Sequence, residues 1–346
     1  MSEQPMNYGQ HRRYARRVRG FTMIELMVAM LLGLVVIGGV ISVFLAGQQT
    51  YRANEALGDV ENSSRAAFEM MTRDLRDVGF TGCDNTTGRI ANVLNSNASL
   101  WYANWAVPLQ GYDDATTDPA LSSFTAGTTG APLKNSSSVI ALGTVPSDVS
   151  VGSASGSPTS FNINAASTQL AAGDIIMVCD FDHATLMQIT SYSGTTVGFA
   201  TATTPVPGNC SSGLGYPTIC TSTGNAYTFL PNARVNIMTA VDWYIGTNAA
   251  GTYSLFRLPV TYSSAGVSVA TPQEMVRNVS NMKIMYVQPS GVAFTSAASV
   301  GGNWAAVNAA QVTLTVNSTY VRANINNNAA LQRPFTYTAT MRNRVL

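Results

Sequence analysis

The apolar and polar positions of this chain change their period twice, and each period predicts a different element. From Leu26 to Ala46 the sequence LMVAMLLGLVVIGGVISVFLA runs 21 residues without a charge. At 1.5 Å per helical residue it spans roughly 30 Å, the thickness of a bilayer's hydrocarbon core. Past Ala46 the pattern becomes amphipathic. Leu57, Val60, Ser64, Ala67, Met71, Leu75 and Val78 recur at spacings of three and four, with Glu55, Asp59, Glu61, Arg65, Arg73 and Asp77 elsewhere on the wheel. That spacing predicts a helix with one face packed on a body. No proline occurs between Pro5 and Pro108, so nothing forces a break between the two stretches. Gly79-Phe80-Thr81-Gly82 supplies stop chemistry, and the helix is expected to end near Gly79 or Gly82. A helix of about 60 residues would be roughly 90 Å long.

After Cys83 the helical period is lost. Short β-branched or alternating runs separated by turn clusters predict an antiparallel sheet domain. The strands expected are Ser138–Leu142, Asp174–Cys179, Leu186–Ser191, Arg234–Ile245, Ser254–Pro259, Val279–Val287, Gln311–Val316 and Phe335–Arg342. Stretches rich in Gly, Ser, Thr and Asn at 112–137, 143–168 and 191–226 read as loops. The fold class is therefore α+β, one long N-terminal helix packed on a C-terminal antiparallel β-rich head. The chain divides into a basic leader at 1–20, the apolar half of the helix at 21–46, its amphipathic half at 47–82 and the head at 83–346.

Charge changes this picture at one end only. Residues 1–20 hold Arg12, Arg13, Arg16, Arg17 and Arg19 against Glu3. Without them the chain keeps 14 basic and 17 acidic side chains, too acidic and too scattered for a nucleic-acid surface. The arginines read instead as a topogenic signal that places the N-terminal side in the cytoplasm and the body across the membrane. Cys83, Cys179, Cys210 and Cys220 form no C-x-x-C pair, and His183 is the one histidine beyond the leader, so a structural zinc site lacks its ligands. An even cysteine count in an exported chain predicts two disulfides. Cys210–Cys220 is the local pairing and leaves Cys83–Cys179 as a long-range staple; the other two connectivities stay open.

The apolar segment has three readings. A secretory signal peptide predicts a small-x-small cleavage site after a run of ~7–15 residues, and this run is longer. A plain signal anchor explains the length but not a carboxylate at Glu25, on the edge of the run. A charge deep in a membrane costs about 2.5–3.5 kcal/mol and usually has a partner. The third reading accounts for both. Gly20-Phe21-Thr22-Met23-Ile24-Glu25-Leu26, behind a basic leader, resembles the prepilin processing motif of type IV pilins. The resemblance implies cleavage between Gly20 and Phe21 by a prepilin peptidase and methylation of the new Phe21 amine. It also implies that Glu25 pairs with the Phe21 amine of a neighbouring subunit, a pair that fixes register because misalignment leaves a buried charge alone. The 20-residue leader is longer than leaders common in that family, and Met6 offers a second start. Gly33, Gly38, Gly39 and Gly47 fit close packing between membrane helices. The alternative is a weak stretch that extends on entry into a filament, since each glycine costs ~1 kcal/mol in a helix.

A narrower resemblance rests on three more segments. Arg73-Asp74-Leu75-Arg76-Asp77-Val78-Gly79-Phe80-Thr81-Gly82-Cys83, Thr50-Tyr51-Arg52, and the closing stretch from Arg333 to Arg344 with its Arg-Asn-Arg tail are similar to the PilW family of minor pilins. The middle of the chain, about 85–230, matches no motif. The resemblance implies a minor pilin that works with other minor pilins and the major pilin, on an inner-membrane assembly platform, to initiate type IV pili near the tip. It implies residence in the lipid bilayer before assembly and in a surface pilus after it. A type II secretion minor pseudopilin and a tip adhesin whose specificity lies in 85–230 are the alternatives.

Candidate chemistry elsewhere is sparse, and no enzymatic role, cofactor or metal is expected. Asp180-Phe181-Asp182-His183 would serve as a cation site or general base, but one histidine without a second cluster gives no triad, and a turn after the strand ending at Cys179 explains it better. Asp113, Asp114 and Asp118 lack the glycine and closing glutamate of an EF-hand loop and read as solvated loop acids. Trp101, Tyr102 and Trp105 read as a cover for sheet or helix. No phosphate loop of the P-loop type is present.

Overall fold

A computed structural model describes residues 20–83, 88–154, 158–288, 291, 293–321, 324 and 329–344. Residues 1–19, with the arginine-rich leader, lie outside the described residues. The chain divides into two compact units, one reaching Ala53 and the other Asn54–Leu346, and helix α1 (Met23–Arg76) supplies residues to both.

In the first unit α1 passes through Gly33, Gly38, Gly39 and Gly47 without interruption, and a methyl group added at any of them meets nothing. Its apolar side chains are exposed, Leu31 at 65% and Phe44 at 62% among them. The structure holds one helix long and apolar enough to cross a membrane among the described residues, and its apolar window is uncovered. The core helix of a soluble protein would be buried, so this surface is made for lipid or for other helices.

In the second unit the same helix changes character. Ala56, Val60, Ser64, Ala67, Met71, Thr72 and Leu75 are buried. Leu57, expected on that face, is exposed, and Ala56 takes its place. The reason is the stripe's drift: Ala56, Val60 and Ser64 step by four, and the buried face turns with them. The helix ends at Arg76, three residues before Gly79, whose φ of 72° gives the left-handed turn that closes it. The Gly79 N–H then donates to Leu142 O at 2.9 Å, tying the exit to the sheet.

The β-strands are β1 (Ile90–Asn92), β2 (Leu109–Tyr112), β3 (Ser138–Ala154), β4 (Ser160–Ile163), β5 (Ile175–Cys179), β6 (Ala184–Gln188), β7 (Ser191–Ser193), β8 (Thr196–Gly198), β9 (Arg234–Thr247), β10 (Tyr253–Ser263), β11 (Gly266–Val269), β12 (Gln273–Arg277), β13 (Val279–Val287), β14 (Ala309–Asn317) and β15 (Gln332–Thr340). Short helix α2 (Ala297–Val300) lies between β13 and β14. Twelve strands join in one network, ordered β1-β6-β5-β9-β3-β4-β8-β7, with β10 beside β9, β11 and β12 beside β10, and β2 beside β3. Strands β13, β14 and β15 form a separate antiparallel sheet. Pairing is antiparallel except for β1 with β6. The expected strands are present, except that Leu186–Ser191 is split between the end of β6 and the start of β7 and the closing strand stops at Thr340. Two expected loops are partly sheet. Strand β3 continues from Leu142 to Ala154, and β4, β7 and β8 form a small ribbon with its far end. Their Ser, Thr and Gly content reflects exposed ribbon edges, not irregular backbone.

Strand β9 is central. Its odd residues Val241, Trp243 and Ile245 face Val60, Ala67, Met71 and Leu75 of α1, whereas Met238, Ala240 and Tyr244 face a second core with Leu94, Tyr102 and Trp105. This is the period of two expected for a strand buried on both faces. Trp101, Tyr102 and Trp105 thus serve as a cover, Tyr102 and Trp105 being buried.

Candidate functional site

The sequence places the processing junction and Glu25 at the start of α1, and the structure gives them a local architecture. Thr22 is the residue before the helix. The Glu25 N–H donates to Thr22 Oγ1 at 3.3 Å, while the Thr22 N–H and hydroxyl donate to Glu25 Oε2 at 3.1 and 3.0 Å. This is a capping box, in which a threonine and a glutamate three residues later satisfy each other's otherwise unpaired backbone N–H groups. The Thr-x-x-Glu signature of that box stands in the sequence, where attention to the charge of Glu25 alone passes over it. Among the described residues Glu25 accepts these bonds through Oε2 alone. Phe21 is 87% exposed and Gly20 is exposed too, so the Gly20–Phe21 bond is open to a protease.

Two segments carrying the narrower resemblance, far apart along the chain, meet in the second unit. Asp74 Oδ2 accepts the indole N–H of Trp243 at 2.9 Å and the Nε–H of Arg257 at 2.8 Å. Leu75 enters the core beside them. Arg76 donates to the Tyr337 hydroxyl at 3.1 Å, Phe68 packs on the Tyr337 ring at 5.7 Å, and the Asn343 amide donates to Val78 O at 3.4 Å. Ala339 and Met341 fill the core under the same helix. Asp74 and Leu75 therefore anchor the helix, while Arg73 and Arg76 flank them on its exposed side.

Both disulfides form, Cys83–Cys179 and Cys210–Cys220. The first ties the chain just past α1 to the end of β5. Gly82, at φ 83°, lets the backbone run against Asn236, whose amide donates to Thr81 O at 3.0 Å. Any side chain at Gly82 would collide with Asn236.

The remaining constellations serve the fold. Asp180 Oδ1 accepts the N–H groups of Asp182 and His183 at 3.0 and 2.9 Å and builds the β5–β6 turn. Its Oδ2 accepts the Tyr227 hydroxyl at 2.8 Å, and that bond, after burial itself, raises the Tyr227 phenol above its ordinary range. His183 is buried, stacked 4.2 Å from Tyr227 with Nε2 2.7 Å from Leu214 O. Asp182 pairs with Arg89 at 3.1 Å. The three loop acids are not simply solvated. Asp113 accepts the Ala297 and Ala298 N–H groups at 3.1 and 2.9 Å, capping α2 from another segment. Asp114 caps the 3-10 turn Ala115–Thr117. Asp118 caps the turn Pro119–Leu121 and accepts the Ser138 hydroxyl at 2.6 Å from a buried position. Caps are the physical reason aspartate recurs there. Burial raises Asp118 to about 6, and burial together with the Asp118 charge raises Asp242 well above the carboxylate range. Among the described residues no well-formed hydrogen bond reaches either carboxyl oxygen of Asp242, and the nearby Val139 and Trp243 N–H groups only partly offset its burial. Among the described residues no three His, Cys, Asp or Glu side chains gather as a metal site.

Residues 15–41 match the family model described as the prokaryotic N-terminal methylation motif. The chain carries a prepilin-type signal. That match contains the Gly20–Phe21 junction, the Thr22–Glu25 box and the first half of the exposed apolar helix, and it supports a type IV pilin or pseudopilin subunit. The signal implies processing by a prepilin peptidase and assembly with other pilins, and the apolar helix fits membrane anchoring before assembly. No curated protein and no solved structure matches the chain.

Proposed function

We propose that this chain is a minor pilin of the PilW type, a non-catalytic subunit that helps initiate type IV pili from the inner membrane and sits near the pilus tip. The observation that carries the reading is the prepilin signal on an apolar helix with no cover of its own. Such a helix must be covered by lipid before assembly and by other helices after it. The finer assignment is supported by the packing of Arg73–Cys83 against the closing strand, because two of the three segments that resemble the PilW family meet in the folded molecule. The arginines of the leader favour a cytoplasmic N-terminus and a periplasmic head, where two disulfides can form.

Glu25 would act in two ways at once. Its Oε2 holds the cap, and its Oε1 meets the N-methylated Phe21 amine of a neighbour. Prepilin peptidase would cut after Gly20, and the other minor pilins, the major pilin and the assembly platform would be its partners.

Two measurements test this. Mass spectrometry of the mature protein is expected to find N-methyl-Phe21; an intact leader would sink the reading. Co-purification in detergent is expected to recover other minor pilins. Recovery of secretion-system pseudopilins instead, with secretion genes beside the gene for this chain, would reassign it to a type II secretion system.

A further inference from the structure

The exposed side of α1 in the second unit forms one wall of a groove of about 690 Å³, with β15 and the segment after it as the other. Four arginines line it, Arg65, Arg73, Arg76 and Arg342, around a floor of Phe68 and Tyr337. Arg76 is held by the Tyr337 hydroxyl. Arg65, Arg73 and Arg342 make no ion pair within 4 Å among the described residues, although Glu69 and Asp77 share the groove. Residues past the leader carry more acid than base, so this concentration runs against the charge of the rest of the chain. Surface arginines left unpaired beside aromatic rings are the anchor chemistry of an interface.

We infer that this groove docks an acidic polypeptide segment of a neighbouring subunit, its carboxylates received by Arg65, Arg73 and Arg342 and an apolar or aromatic side chain by Phe68 and Tyr337. The inference rests on reading the chain as a filament subunit and names a surface of it that the N-terminal signal does not. Several features select this occupant. Glu69 and Asp77 in the same groove disfavour a continuous polyphosphate more than they disfavour single, spaced carboxylates. A polypeptide supplies carboxylates one at a time, with apolar side chains between them for the aromatic floor. The sheet edge itself is a poor acceptor of a strand, because Pro334 interrupts β15 where backbone donors would be required. Contact is therefore made by side chains, and its charges set orientation and partner choice.

The test uses the full chain in its native membranes, with Glu69→p-benzoylphenylalanine as a photo-crosslinker in the groove. Irradiation is expected to give an adduct that peptide mapping places on an acidic segment of another pilin-like subunit. Arg65→Glu, Arg73→Glu and Arg342→Glu together are expected to reduce that adduct at least about tenfold, and the three Lys variants to keep it within about threefold, since charge sign and not fold is altered. Disulfide formation and N-methyl-Phe21 in each variant report folding and processing separately. An adduct indifferent to charge reversal, an adduct on lipid or nucleic acid, or none in a chain that is processed and assembled would overturn the groove while leaving the filament reading intact. An unprocessed chain that still gives the charge-dependent adduct would sink the filament reading and leave the groove standing.

Discussion

Two stretches of one helix make opposite use of apolar residues. Between Met23 and Leu45 every large hydrophobic side chain is exposed; between Ala56 and Leu75 a single stripe is buried and most of the remaining surface is polar, with Leu57 an exposed exception. The first stretch is stabilised by local terms alone, its backbone bonds and the Thr22–Glu25 box, and its side chains are reserved for surroundings outside the chain. The second depends on the sheet beneath it. Destabilising the head and disabling assembly are therefore separable, and substitutions in the two stretches should have different readouts.

The largest expected effect is on the head. Removing Cys83–Cys179 with paired serines frees a loop of 96 residues, for which the chain-entropy model gives about 4–5 kcal/mol against about 3 for a loop of some 15 residues. Denaturant titration should show a greater loss for this pair than for Cys210–Cys220; the reverse order would mean that the long loop keeps its structure without the staple. Next comes core packing. Leu75→Ala should cost about 2–5 kcal/mol of head stability, whereas Leu31→Ala should leave the head's transition within about 0.5 kcal/mol. Equal effects would erase the contrast between the two stretches.

The pH dependence of the head offers a third test. Asp118 and Asp242 both have carboxyl pKa values raised in the fold, chiefly by burial, and they face Tyr112, Tyr244, Tyr286 and Ser138. A raised folded pKa favours the protonated form. The stability it contributes is full below about pH 4, where an unfolded aspartate protonates, and is lost as pH rises through about 6 for Asp118 and through the likewise raised folded pKa of Asp242. Asp242→Asn should therefore differ little from the parent near pH 4 and become progressively more stable than it toward pH 8. A constant difference across that range would show that Asp242 does not titrate with folding. The smallest thermodynamic effect belongs to Glu25. Glu25→Ala removes the box and should fray the first turn at a cost of about 1 kcal/mol, while Glu25→Gln keeps a capping side chain without the charge. Both should be cleaved normally. If incorporation fails in both, the charge matters; if only the alanine fails, the cap does.

Much of this is readable along the chain because the signals are local. An unbroken apolar run, a basic flank and Gly20, Phe21 and Glu25 at fixed offsets make up the prepilin-type signal without any long-range contact. The amphipathic stripe and the strand alternation are equally local, and they locate α1 and the central strands. Where burial depends on a partner, local pattern is not enough. Leu57 and Ala56 are adjacent candidates for one stripe, and only packing against the sheet chooses between them. Asp113, Asp114 and Asp118 look alike in sequence, yet one caps α2 from 185 positions away and one is buried against Ser138. Strands β4, β7 and β8 are only three or four residues long and partly face water, so among Ser-, Thr- and Gly-rich flanks they resemble loops in sequence.

Hydrophobic period and motif spacing are properties of neighbours along the chain, and they suffice for the membrane-length helix, the prepilin-type signal at its start and the antiparallel character of the head. The packing of Arg73–Cys83 against the closing strand and the groove shared by Arg65, Arg73 and Arg342 emerge only in the folded molecule, which also selects the expected Cys83–Cys179 staple over the two connectivities left open. Arg76 and Tyr337, which meet there, stand 261 positions apart. Proximity over such separations is set by how helix and sheets bury their apolar faces together, which no local pattern records.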